Sequence, residues 1–162
     1  MRVFVASTLT RLAELHRSGR LAVDDGSAFA VTPALREWYA DSAAEELDYA
    51  ALTEAAGASV GMLASDPDAP PRRVVVAADV TAALPDTSHG RAGVRLAEPV
   101  LLDQVASVHV DAIDAEETVR RAIDAAPAAA AGDDDAAAAV EEPEGFELMW
   151  YATQELPDLL HT

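Results

Sequence analysis

Two aspartates close apolar runs in this chain. Asp79 ends Val74-Val75-Val76-Ala77-Ala78, and Asp111 ends Val108-His109-Val110. If their strands run parallel, both carboxylates reach one rim of a sheet, the place where open α/β sheets bind ligands. Thr8, after Val3-Phe4-Val5, would reach the same rim, and Gln154 or Glu155 would join it from the last apolar run. Paired carboxylates with water suit Mg²⁺, so the grouping points to a Mg-assisted enzyme of phosphoryl or hydrolytic chemistry. The ordinary account of the same residues is structural, because aspartate and threonine also end strands and cap helices.

Other chemistries find less support. His109 alternates with valines, and a base or ligand there needs a partner within reach. No histidines stand at His-x-x-x-His or His-Glu-x-x-His spacing, so a zinc site of that type is not expected. Cysteine is absent, which removes disulfides and thiolate sites. Ser7 stands in no Gly-x-Ser-x-Gly frame. Gly57-Ala58-Ser59-Val60-Gly61 has that spacing but falls inside the helix expected over 44–64 rather than at a strand-to-helix turn, so a hydrolase elbow is not expected. No Gly-x-Gly-x-x-Gly or Walker-type loop occurs. Trp38-Tyr39 and Trp150-Tyr151 hold both tryptophans and two of the three tyrosines. Either they supply bulk to a core short of it, or they form an interaction patch. The favoured reading is a non-catalytic protein-interaction or regulatory module that needs no cofactor. The Mg-assisted enzyme is the alternative.

The charge balance narrows the partners. The chain carries 29 acidic and 11 basic residues, a net charge of −18. Every basic residue is arginine, asparagine is missing, and isoleucine occurs only at Ile113 and Ile123. That pattern fits a coding bias against A/T-rich codons, with salt adaptation as a second account. A field of this sign repels nucleic-acid phosphates and anionic lipid, so neither is an expected partner. A protein partner is expected, its identity and the oligomeric state unspecified. The opening Val3-Phe4-Val5 run is too short for a signal peptide, and no run nears the roughly 20 apolar residues of a membrane span. The expected compartment is the cytoplasm.

The elements that would position these residues follow from periodicity. Residues 2–7 predict a strand, and Thr8 a cap for the helix that ends before Gly19. Leu21 to Val31, with Asp24-Asp25-Gly26 inside, predicts a hairpin. Thr32-Pro33 starts a short helix. A long helix over 44–64 carries a stripe of Tyr49, Leu52, Ala56, Ser59 or Val60, and Leu63, with Glu45, Glu46, Asp48 and Glu54 mostly off that face and the first three solvated. Gly57 and Gly61 weaken that helix by about 1 kcal/mol each, and close packing on a sheet would account for them. Val74 to Val76, after Pro70-Pro71, predict a central strand covered on both faces. Further strands are expected over 93–97, 107–111 and 146–152, with a helix carrying Val119, Ala122, Ile123 and Ala126.

Strands separated by helical patterns predict an α/β fold, a mixed, mostly parallel sheet of about five strands flanked by helices. An α+β two-layer sandwich is the alternative. One globular domain is expected over 1–162. Within it, 127–145 is alanine- and acid-rich and reads as a low-complexity insert without fixed structure.

Five segments together resemble a known family. They are Met-Arg-Val-Phe-Val-Ala-Ser-Thr at the start, Ala-Val-Thr-Pro-Ala-Leu-Arg-Glu-Trp-Tyr (30–39), Pro-Pro-Arg-Arg-Val-Val-Val-Ala-Ala-Asp-Val (70–80), Val-His-Val-Asp (108–111) and Leu-Met-Trp-Tyr-Ala-Thr-Gln-Glu-Leu (148–156). The chain resembles the actinobacterial domain of unknown function 6912 family over nearly its whole length, lapsing in the alanine/aspartate insert. The resemblance implies a lineage and a compartment, and carries no activity, cofactor or catalytic residue.

Overall fold

The structure is a computed structural model describing residues 1–161. It opens with β1 (Arg2–Ser7), where β-branched and aromatic side chains favour extended backbone. Thr8 caps α1 (Leu9–Ser18) by accepting a hydrogen bond from Arg11 N at 3.2 Å, and Gly19 ends the helix at φ 75°. Two short strands follow, β2 (Arg20–Leu21) and β3 (Ser27–Phe29), with a 3-10 turn between them. Thr32 caps α2 (Pro33–Trp38), and α3 (Ala44–Ala64) is the longest helix. Then come β4 (Val74–Asp79), β5 (Leu84–Pro85), β6 (Gly93–Arg95), β7 (Val100–Leu101) and β8 (Val105–Val110). The chain finishes with α4 (Glu116–Ala130), α5 (Asp134–Glu141), β9 (Met149–Tyr151) and α6 (Leu156–Leu160).

Seven strands form one sheet in the order β5-β6-β3-β1-β4-β8-β9, and β2 pairs with β7 apart from it. Every hydrogen-bonded pair is antiparallel. This overturns the mostly parallel sheet of about five strands expected from helix-separated strands. The fold is α+β. The reason lies in one insertion. β3 and β4 do run parallel and are joined through α2 and α3, as a helical crossover requires. But β1 lies between them and is antiparallel to both. The crossover is real, and its two strands are not neighbours. The 21–31 stretch is likewise no hairpin: β2 pairs with β7, while β3 pairs with β1 and β6.

Helices cover both faces, giving three layers rather than the two of the alternative reading. On one face Val3, Val5, Val74, Val76, Val108 and Val110 pack against Leu12 and Leu15 of α1 and Leu156 and Leu159 of α6. On the other, Phe4, Val75 and Ala77 meet Leu47, Ala51 and Ala55 of α3. Val74, Val75 and Val76 are wholly buried, with β1 and β8 bonded on either side. The stripe on α3 differs from expectation at its start: Tyr49 is exposed and Leu47 points inward. Residues 127–145, read from composition as an insert without fixed structure, hold the end of α4, all of α5 and a 3-10 turn. No residue of α5 is fully buried; its helicity is that of an alanine run with Asp133 as cap and acids in the first turn.

Where β4 begins, a buried ion pair joins three segments. Arg73 Nε and Nη2 donate to the two oxygens of Asp111 at 2.8 and 2.7 Å. Arg73 N also donates to Asp111 Oδ2 at 2.8 Å, Arg73 Nη2 to Phe146 O at 2.9 Å, and Arg72 Nε to Asp111 O at 2.9 Å. The Asp111 side chain is 0% exposed. Removing one partner of such a pair strands a charge in low dielectric. Asp111→Ala is therefore expected to lower the unfolding free energy by about 3–5 kcal/mol, read by circular dichroism in urea. A loss below about 1 kcal/mol would place this pair with exposed ones and refute the assignment.

Candidate functional site

Antiparallel pairing divides the residues singled out from sequence between two rims. Asp79 lies opposite Arg2, whose Nε donates to Asp79 Oδ1 at 2.8 Å. That hydrogen bond holds the Asp79 carboxyl below the ordinary aspartate range. Asp111 follows Val110, which pairs with Val74 at the other end of β4. The strand between them spans roughly 17 Å at an antiparallel rise of about 3.4 Å per residue. The two-aspartate Mg²⁺ grouping therefore does not assemble, and Asp111 is already saturated by Arg73. Thr8 shares the Asp111 rim, but its hydroxyl caps α1. Glu155 follows β9 toward the Asp79 rim, and its Oε2 accepts from Ala152 N at 2.7 Å. Among the described residues no three His, Asp or Glu side chains gather as a metal site.

His109 faces Trp150 across β8 and β9, with its Nε2 3.0 Å from Ser107 Oγ. Burial, helped by the charge of Arg2, lowers its pKa, so the ring is neutral near pH 7. No acid orients its other nitrogen among the described residues, so the contact lacks the third member that activates a serine. The aromatic couples are also apart. Trp38 is 61% exposed and lies 3.6 Å beneath the Arg91 guanidinium, beside β6. Met149 and Trp150 are exposed on β9, the opposite edge, while Tyr151 turns into the core.

A concave site lies elsewhere, between the start of α1, residues 22–27 and the second half of α3. It encloses about 530 Å³. Its apolar wall is Ala6, Val23, Phe29, Ala58 and Met62; its polar groups include Arg11, Asp24, Asp25, Glu54 and His89. A second hollow of about 350 Å³ continues past Gly61 to Ser65 and Asp66, sharing Arg11, Asp24, Ala58 and Met62.

Each wall has a local cause. Ser59 is buried, donating to Ser7 O at 2.7 Å and accepting from Val74 N at 3.1 Å, which pins α3 to the ends of β1 and β4. Gly57 and Gly61 stand one turn apart, and a Cβ at either would meet nothing within 4 Å. They do not serve close packing on the sheet, as expected from sequence; they border open space. Opposite them, Arg11 Nη2 bonds Asp24 Oδ2 at 2.6 Å, and the turn continues through Asp25 at φ 55°. Gly26 has no alternative there, because a Cβ would collide with Leu96 O.

Glu54 stands at one end of the cleft. Its Oε1 accepts from Ala92 N at 3.3 Å, and the carboxylate lies so close to Gly90 that a Cβ there would strike it. Its second oxygen carries no hydrogen bond among the described residues. Burial raises its pKa, opposed by Ala92 N and the charge of Arg91. Sequence reasoning missed Glu54, Arg11 and Asp24 as site residues, and read Gly57 and Gly61 as weak points that close packing on the sheet would explain. The signal present was the pair of glycines four apart in a long helix.

No curated protein and no solved structure matches the chain, and no helix among the described residues is long and apolar enough to cross a membrane. One family model does match, from residue 1 to residue 160, through every strand and helix described above. The chain thus belongs to that family, the Family of unknown function DUF6912.

Proposed function

We propose that the protein is a non-catalytic binding module of a regulatory kind, and that it binds through the cleft between α1 and α3. One observation carries this reading: Gly57 borders the cleft and Gly61 the hollow that continues it, and a Cβ at either would meet nothing within 4 Å. Glycine inside a helix costs about 1 kcal/mol relative to alanine. No packing or backbone demand in the fold calls for either glycine. Such a cost without a folding reason fits a space kept clear for another molecule. The volume and the apolar wall with few polar groups suit a small organic ligand. The separation of Asp79 from Asp111 favours binding over the metal-assisted alternative. The acid-rich, cysteine-free composition supports a cytoplasmic setting.

A second reading, a protein partner, is favoured by β9. Met149 and Trp150 are exposed on an edge strand, the geometry to which an extended peptide adds. Its check is to compare proteins retained from native lysate by wild type and by Trp150→Ala; the same set on both sinks it.

Two measurements test the cleft. Gly57→Ala and Gly61→Ala are each expected to raise the unfolding free energy by about 1 kcal/mol. A loss of stability in both would give the glycines a folding role and remove the argument. In a fragment screen by ligand-observed NMR, compounds that bind wild type should be lost on Gly57→Leu, which fills the cleft. Fragments bound equally by both proteins, or by neither, overturn the reading.

A further inference from the structure

We infer that the cleft takes an organic cation with an apolar body, an alkylammonium group being the simplest example. This rests on the reading of the cleft as a binding site and specifies its ligand. The apolar part is set by Val23, Phe29 and Met62. The charge follows from which ionic groups are already committed.

Arg11 is the one arginine lining the cleft, and its guanidinium is bound to Asp24. An anion would find no free arginine there. Arg91 is close enough to act on Glu54, but its guanidinium is stacked on Trp38. Asp25 and His89 are exposed at the margin. That leaves Glu54, a half-buried carboxylate with one oxygen unbonded and no cation in contact. Burial disfavours its charged form, which the raised pKa reflects. Glutamine would keep the hydrogen bond from Ala92 N without that penalty, so folding has little use for the charge beyond the pull of Arg91, which burial outweighs. A cationic ligand does, and the net charge of −18 draws one in.

The sign for stability follows. An acid whose folded pKa is raised favours folding when protonated and loses that contribution as pH rises. Glu54→Gln should therefore melt at or above the wild-type temperature at pH 7, with the gap closing as pH falls through the Glu54 pKa. A markedly lower melting temperature at pH 7 would show that folding needs the charge, and would overturn the inference.

The binding experiment uses three probes with one alkyl chain, hexylammonium, hexanol and hexanesulfonate, titrated by NMR into the full chain. Hexylammonium is expected to bind wild type about tenfold tighter than hexanol, the worth of one partly screened charge pair. Hexanesulfonate should bind worst. Glu54→Gln should bring hexylammonium to the level of hexanol, and so should lowering pH below the Glu54 pKa, with hexanol unchanged. If hexanol binds wild type, is lost on Gly57→Leu, and equals hexylammonium, the charge inference is overturned and the cleft reading stands. If none of the three is displaced by Gly57→Leu, both fail.

Discussion

The enclosed pair of Arg73 and Asp111 sets the alignment on which the sheet depends. A guanidinium and a carboxylate with no solvent must meet in one geometry or leave charge uncompensated. Here that geometry places Val74 opposite Val110, at the junction of the two longest strand pairings. A one-residue slip of β8 would turn its valines to the wrong face and pull the carboxylate away from its partner. Arg73 also holds Phe146 O, so the return of the chain toward β9 is tied to the same point. With that end fixed, the irregularity in the β4–β8 pairing falls at the far end, between Ala77 and Ala78.

Small side chains do two different things on α3. Inward, Ala51, Ala55 and Ala56 let the helix lie close on a sheet whose contact residues are Phe4, Val75 and Ala77. A core so poor in aromatics gains its density from short distances rather than large rings. Outward and one turn apart, Gly57 and Gly61 withdraw side chains from the groove toward α1. Ser59, between them in sequence, anchors the helix to β1 and β4 at once. The groove is therefore bordered by a helix that a buried serine ties to two strands.

Much of the local structure was legible in the residues. The Val3-Phe4-Val5 run, the Thr8 and Thr32 caps, Gly19 and the valines of β4 all act through near neighbours, and each stands where its type implies. Strand direction was not legible. A strand covered on both faces looks the same whichever way its neighbours run, and nothing in β1 announces that it inserts between β3 and β4. The candidate rim of Asp79 and Asp111 failed for that reason. Asp111 found its partner in Arg73, 38 positions away, and Glu54 looked like an ordinary helix-surface acid because residues 89–92 fold over it from the far edge of the sheet. Periodicity within one helix carries no information about which loop covers it.

The placement of the tryptophans has a spectroscopic consequence. Trp38 and Trp150 both stand in solvent at opposite flanks, one capped by a guanidinium and one bare, and the interior holds neither. Emission from the intact molecule should already resemble that of indole in water. Its wavelength is then a poor gauge of unfolding and a direct gauge of what touches either flank.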